Sequence, residues 1–272
     1  MSSYPPVSGP RAEEDPLLAQ LLEELRDRHH GAIAGMLLYG SCLRSGNIYD
    51  GLLDLSLVCD NYRAAYGAGP LAVANWLLPP NVFYAESNRE GKTLRSKVTV
   101  ISLSDFRRGC STAWFESYIW GRFAQPTLIL YARDATVREN LEQSLLEAAR
   151  TLLRRSLPVL PTGGDVTTLW EQSLALSYAT ELRTERSGRA SELARSAAAF
   201  YRAITLIHEN SLDVAFNTYE AQGELRYNSS TGRLHRGRCH LAWALRRVQG
   251  KLMSISRLIK ALFTFEGGLD YI

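Results

Sequence analysis

Between Pro16 and Arg28 the apolar residues Leu17, Leu18, Leu21, Leu22 and Leu25 return at helical spacing. Pro16 suits a first turn, so the pattern predicts an amphipathic helix that Gly31 ends. Residues 32–39 are then a short continuous apolar run closed by Gly40, the pattern of a buried strand. Over residues 52–58 the pattern changes to alternation, with Asp54 and Ser56 on one side and Leu53, Leu55 and Leu57 on the other. Residues 97–102 and 127–131 are two more strand candidates, and residues 104–123 between them read as a helix closed by Gly121, Arg122 and Pro126. Strands and helices mixed in this way predict an α/β (α+β) domain.

The second half has a different texture. Residues 137–157, 166–185, 191–209 and 240–265 all carry helical periodicity. Pro158, Pro161, Gly163 and Gly164 make one break, Gly188 a second, and the basic stretch 228–237 a third, expected to be flexible. The expected organisation is a disordered lead-in over 1–15, an α/β domain over 16–133 and a helical domain over 134–272.

Composition narrows the function classes. With 272 residues, 46% of them hydrophobic, the chain can bury a core, and a formal net charge of +3 argues against a polynucleotide partner. Cys42, Cys59, Cys110 and Cys239 are widely spaced and form neither a zinc motif nor a disulfide framework. His29 and His30 are neighbours that point apart on a helix, and His208, His235 and His240 lack partners at ligand spacing. No apolar run is long enough to span a bilayer, and the proline- and serine-rich start resembles no signal or transit peptide. The expectation is a soluble or peripheral cytoplasmic protein.

Chemistry concentrates where the first strand ends. Tyr39-Gly40-Ser41 is followed thirteen residues after Ser41 by Asp54 on the next strand. A strand ending in Gly-Ser before a helix offers backbone N–H groups and a hydroxyl to a phosphate, which a side chain at Gly40 would hold away. A carboxylate on the adjacent strand can then hold Mg²⁺ against a triphosphate. The polymerase-β-like nucleotidyltransferases are laid out in this way, with a second carboxylate two residues on; here that position is Ser56.

Residues 37–58 as a whole resemble the mitochondrial-type phosphatidate cytidylyltransferases, the translocator assembly and maintenance protein family, whose strand also keeps a single Asp after Tyr-Gly-Ser-Gly. Four later stretches are similar to that family in the same order: residues 81–84 (Asn-Val-Phe-Tyr), the strand 97–102 beginning at Lys97, residues 118–126 (Tyr-Ile-Trp-Gly-Arg-Phe-Ala-Gln-Pro), and residues 176–183 (Leu-Ser-Tyr-Ala-Thr-Glu-Leu-Arg). Three departures stand out: Cys42 for the second glycine, Gln125 for a lysine and Glu181 for an aspartate.

The resemblance implies a polymerase-β-like nucleotidyltransferase domain followed by a mostly helical one. It implies an activity joining CTP to phosphatidate with Mg²⁺, giving CDP-diacylglycerol and pyrophosphate. Gly40 and Ser41, with Tyr39, would cradle the phosphates, and Asp54 would hold the metal. Lys97 and Arg122 would face the triphosphate, with Tyr178 and Arg183 lending further substrate contacts. Glu181 stands as a candidate for the missing acid, against an internal ion pair. The attacking phosphate is already an anion, so no poised histidine is needed.

From Leu241, apolar residues recur at Leu245, Val248, Leu252, Ile255, Ile259 and Leu262, flanked by Arg246, Arg247, Lys251, Arg257 and Lys260. Such a helix can lie on an anionic membrane surface, or its stripe can pack on the helical domain or on another subunit of a homo-oligomer. Two other functions remain open: a nucleotidyltransferase acting on a protein, RNA end or metabolite, and a non-catalytic regulator that binds nucleotide or lipid.

Overall fold

The structure, a computed structural model, describes residues 3–182 and 188–264, and these gather into two compact units. A sheet unit holds Val7–Arg107, Thr127–Leu141 and Ser256–Ile272. A helical unit holds Met1–Pro6, Arg108–Pro126 and Glu142–Ile255.

In the sheet unit, α1 (Pro16–Arg28) starts at Asp15, whose carboxylate accepts the N–H groups of Leu17 and Leu18 at 3.0 Å. There follow β1 (Ile33–Tyr39), α2 (Ser41–Ser45), β2 (Leu53–Cys59), α3 (Tyr62–Tyr66), α4 (Pro70–Leu77), β3 (Asn81–Arg89) and β4 (Lys92–Ser102). The chain then passes through α5 (Leu103–Cys110) and α6 (Trp120–Phe123) to β5 (Leu128–Ala132). The five strands lie in the order β3-β4-β2-β1-β5, with β2 and β4 parallel and every other pair antiparallel. The leucines of α1 share one buried cluster with Met36, Leu38, Leu53, Leu55, Leu57, Phe83, Val98 and Val100. Strand residues alternate faces, so the opposite face carries Asp54, Ser56, Lys97 and Thr99.

The long helix α7 (Ala135–Ser156) leads into the helical unit. This unit continues with β6 (Gly163–Asp165), α8 (Val166–Tyr178), α9 (Arg189–Ser196), α10 (Ala198–His208), β7 (Ala215–Ala221), β8 (Glu224–Ser230) and α11 (Arg233–Thr264). A stacked pair, Trp170 on Tyr201, joins α8 to α10 with ring centroids 4.5 Å apart.

The mixed α/β architecture agrees with the sequence, while several elements differ. The helix expected over 104–123 is interrupted from 111 to 119, because Arg155 takes the carbonyls of Thr112, Trp114 and Phe115 that helical N–H groups would otherwise use. The helix expected to reach 185 stops at Tyr178, where Thr180 Oγ1 donates to the Ser177 carbonyl at 2.7 Å. The one expected over 191–209 is two helices that meet at Ala197. Residues 228–237 are no flexible break: Asn228, Ser229 and Ser230 complete β8, and α11 begins at Arg233. A three-stranded sheet, β6-β8-β7, thus lies among the helices of the second half. Its β7–β8 turn uses left-handed backbone at Gln222 and Gly223, which fits a tight hairpin. Tyr227 is buried there and donates its hydroxyl to the Pro161 carbonyl at 2.9 Å.

His208, at the end of α10, is buried, and desolvation drops its pKa to about 4 from 6.5. The unfolded chain therefore binds a proton that the folded one refuses between pH 6.5 and 4. This contribution is present above 6.5 and is lost as pH falls through 4, by up to about 3 kcal/mol. His208→Gln is expected to flatten that part of the stability-versus-pH curve in chemical denaturation. A curve of unchanged slope between pH 6.5 and 4 would remove His208 from the acid limb.

Candidate functional site

The site begins at Gly40, where β1 gives way to α2. Its φ of +88° lies in the left-handed region that favours glycine. A Cβ built on it would come within 3.2 Å of Asp54 Cβ and Cγ, and closer still to Oδ2. The Asp54 carboxylate is thus packed on the backbone of the glycine turn. Only glycine meets both demands, the backbone angle and the space. The first-turn N–H groups of α2 begin at the exposed Ser41 beside it.

Register extends the site across the sheet. Tyr39 pairs with Asp54, Asp54 with Lys97, and Lys97 with Tyr84. Paired residues share a face, so a polar row crosses β1, β2, β4 and β3. Tyr39 is buried, while Asp54, Lys97 and Tyr84 are half-buried. At the row's far end Tyr84 Oη donates to Glu86 Oε2 at 2.5 Å, a bond that holds the Glu86 carboxyl below its usual pKa.

Cys42, standing where the resembling family has glycine, is buried. Its thiol donates to the carbonyls of Leu52 at 3.4 Å and Asp50 at 3.6 Å, tying α2 to the loop that delivers Asp54. Burial, followed by the nearby Asp54 carboxylate, pushes its pKa up, so it stays a protonated thiol. This cysteine braces the turn.

Two groups were missed in the sequence. Arg44 is half-buried on α2, and its Nη1 is buried with no hydrogen-bond partner among the described residues. The signal was its position three residues after Ser41, on the same short helix. Tyr84 was matched only as part of a similar stretch, because its register with Lys97 appears only once the strands pair.

The remaining candidates lie in the helical unit. There two stretches some sixty residues apart in sequence, 117–122 and 177–181, pack together. Ser117 and Thr180 share a buried hydroxyl–hydroxyl hydrogen bond of 2.6 Å. A Cβ on Gly121 would sit 2.8 Å from the Ser177 side chain, and one on Gly250 of α11 would come closer still, 2.5 Å, to the Thr180 carbonyl oxygen. Arg122 Nη2 meets Glu181 Oε1 at 3.2 Å, and its guanidinium lies 4.6 Å over the Tyr118 ring. Glu181 is therefore held in an ion pair, and it sits in the turn beyond α8, not on a helix as expected. Tyr178 closes α8 and accepts the Glu181 N–H at its carbonyl. Arg183 lies outside the described residues.

Among the described residues no group of three or more His, Cys, Asp and Glu is placed to hold a metal ion. Mg²⁺ commonly takes one or two carboxylates and completes its shell with phosphates and water. Asp54 with a triphosphate beside it fits that habit; a preformed protein cage does not.

No family model and no curated protein matches the sequence. Among solved structures, a nucleotidyltransferase-like protein from Exiguobacterium sibiricum 255-15 is similar over 79% of this chain and 100% of its own. The identity is 9% and the TM-score 0.31, so the fold description rests on this chain's own strand order.

Proposed function

We propose that this chain is a nucleotidyltransferase that transfers a cytidylyl group from CTP to phosphatidate, giving CDP-diacylglycerol and pyrophosphate. The observation that carries the nucleotidyl-transfer reading is the packing of the Asp54 carboxylate on Gly40, at the mouth of a strand-to-helix turn. Cytosine and phosphatidate come from the family resemblance.

In this reading the turn's backbone N–H groups and Ser41 hold the triphosphate, with Arg44 and Lys97 balancing its charge. Asp54 would hold Mg²⁺, which supplies charge neutralisation at the phosphates when bound. A phosphatidate oxygen attacks the α-phosphorus, the bond to the β-phosphate oxygen breaks, and pyrophosphate leaves. The nucleophile is ionised, so the chain has no proton to remove. The Arg122–Glu181 pair then orders the helical unit.

The substrate's acyl chains stay in a bilayer, so the enzyme must reach a membrane surface, and α11 supports such an approach. Leu241, Leu245, Val248, Leu252, Ile255 and Ile259 are between 43 and 62% exposed, in strict alternating steps of four and three. Each of these side chains is thus left at least 43% exposed, and Leu262 falls among residues whose side chains are not described. The cations divide differently from the expectation. Arg246 and Arg257 are buried, with Nε donating to the carbonyls of Phe115 and Pro79 respectively. Lys260 donates to the carbonyls of Leu78 and Pro80, and burial lowers its pKa to about 7. Arg233, Arg238, Arg247 and Lys251 remain exposed beside the stripe, and no Asp or Glu occurs anywhere in α11. That one-signed charge favours an anionic lipid surface over a second copy of the same helix. Among the described residues no helix is long and apolar enough to cross a membrane.

Pyrophosphate release with CTP, Mg²⁺ and phosphatidate vesicles is the direct test. Lipid-dependent release supports the reading. Release that needs a protein, RNA or metabolite acceptor instead overturns the substrate. CTP or lipid binding without any turnover overturns the enzyme. Competition among ATP, GTP, UTP and CTP settles the base.

Gly40→Ala is expected to weaken CTP binding at least tenfold in calorimetry. It should also lower stability by about 1–2 kcal/mol, because alanine resists the left-handed backbone and its methyl displaces Asp54. Unchanged CTP affinity would remove the turn from phosphate binding.

A further inference from the structure

The paired strands fix what lies on either side of Asp54. Tyr39 stands opposite Asp54, so Gly40 and Ser41, next along the chain, lie on the β1 side of the start of β2. On the other side Lys97 stands opposite Asp54, and Ser96 opposite Leu53. Alternate strand residues share a face, so Arg95 projects from the same face as Lys97, while Leu94 and Val98 enter the core. The glycine turn and Arg95 therefore flank the start of β2 at the same end of the sheet, two strand spacings apart, about 10 Å.

Arg95 is exposed, and among the described residues no hydrogen bond or ion pair engages its guanidinium. Its cross-strand neighbour is Glu86, but the Glu86 carboxylate accepts the Tyr84 hydroxyl, so the arginine keeps its N–H groups for a ligand. Glu86 is also the only carboxylate on β3 or β4. The Tyr84 bond, with a smaller contribution from the Arg95 charge, holds its pKa below the ordinary range and makes it a poor base. This side of Asp54 thus offers cations, and no group suited to taking a proton from a hydroxyl.

We infer that Lys97 and Arg95 form the acceptor subsite of the transfer reaction, and that the Arg95 guanidinium there binds the acceptor's phosphate monoester. The inference rests on the nucleotidyl-transfer reading above, in which the glycine turn holds the leaving pyrophosphate. In phosphoryl transfer the attacking and leaving oxygens lie roughly in line. With pyrophosphate leaving on the β1 side of Asp54, the nucleophile enters from the β4 side, where Lys97 and Arg95 stand. An acceptor phosphate oxygen gives its lone pair to the α-phosphorus. The bond from that phosphorus to the bridging oxygen breaks, and its electron pair leaves on pyrophosphate. No proton moves, which suits a side without a base. Two further oxygens of the acceptor phosphate match the planar fork of Arg95, whose N–H groups point in parallel.

The test is steady-state kinetics of the full chain with dihexanoylphosphatidate, a soluble acceptor that needs no membrane, alongside calorimetric titration with CTP. Arg95→Gln is expected to raise the KM for this acceptor at least tenfold while CTP affinity stays within twofold of the parent. Arg95→Lys, which keeps the charge without the fork, should recover part of the loss. Dihexanoylglycerol, with a hydroxyl in place of the phosphate, should not be a substrate of the parent chain. An unchanged acceptor KM in Arg95→Gln, a matching loss of CTP affinity, or turnover of dihexanoylglycerol overturns the subsite and leaves nucleotidyl transfer standing. A parent chain that releases no pyrophosphate from CTP with either acceptor overturns the phosphatidate reading, and the subsite with it.

Discussion

Asp54→Asn is expected to reduce CTP- and phosphatidate-dependent pyrophosphate release by two to three orders of magnitude while the protein stays folded. An amide keeps the shape and packing of the carboxylate on Gly40 but is a poor ligand for a hard divalent cation. Loss of a group that stabilises charge at the reacting phosphates typically costs on the order of 10²–10³ in rate. The fold should tolerate the change, since Asp54 is half-buried and its neighbour Cys42 is a neutral thiol that does not rely on its charge. Turnover within about threefold of the parent, in a variant with an unchanged melting temperature, would take Asp54 out of the mechanism. Gly40→Ala makes a useful contrast, because it should damage both stability and nucleotide binding, whereas Asp54→Asn should damage turnover alone.

The second large effect is expected on α11. Replacing Leu245 and Leu252 together by Asp should weaken binding to phosphatidate-containing vesicles at least a hundredfold. Each exposed leucine that enters an apolar phase is worth about 1.5–3 kcal/mol, so the pair accounts for at least about 3 kcal/mol before any charge repulsion. Neither residue is buried, so the melting temperature should not fall. Arg246→Gln should do the reverse. This arginine stacks 4.5 Å over Phe115 and 5.2 Å from the Trp243 ring centroid, besides its bond to the Phe115 carbonyl. Its loss should cost about 1–3 kcal/mol of stability and leave vesicle binding intact. Co-sedimentation across a salt series, with melting curves for each variant, checks both halves. If the double Asp variant sediments like the parent, the lipid contact lies elsewhere. If it instead converts a dimer to a monomer in analytical ultracentrifugation, the stripe is a subunit interface.

The same helix shows where sequence reading reaches its limit. Its four-three periodicity correctly placed Leu241, Leu245, Val248, Leu252, Ile255 and Ile259 on one face. Periodicity reports which residues share a face, not which face turns inward, and basic residues are normally assigned to solvent. Arg246 and Arg257 are inside because backbone carbonyls take their N–H donors, with aromatic rings also stacked against Arg246. The partners, Phe115 and Pro79, are 131 and 178 residues away in the chain. No local pattern could have found them.

Much of the site was legible for the opposite reason: its determinants are local. Gly40 stands between a continuous apolar strand and a short helix, and Asp54 sits on an alternating strand, so the turn and the outward direction of the carboxylate follow from neighbouring residues. The α1 leucines and the strands around Leu37, Leu55 and Val100 were readable for the same reason. The β7–β8 hairpin has a local signature too, a Gln-Gly turn followed by the alternation of Leu225, Tyr227 and Ser229, but it stands between stretches of helical periodicity.

By itself, then, the sequence determined the α/β character of the chain, the glycine turn with its single carboxylate, and the membership of each amphipathic face. Steric limits on the backbone and the two side-chain periods act within a few residues, and they suffice for those features. The tertiary structure alone decided the break at 111–119, the Arg122–Glu181 pair, the row from Tyr39 to Tyr84, and the outward turn of the α11 stripe. Each of these depends on a hydrogen-bond or packing partner supplied by a distant segment, and chain folding chooses that partner.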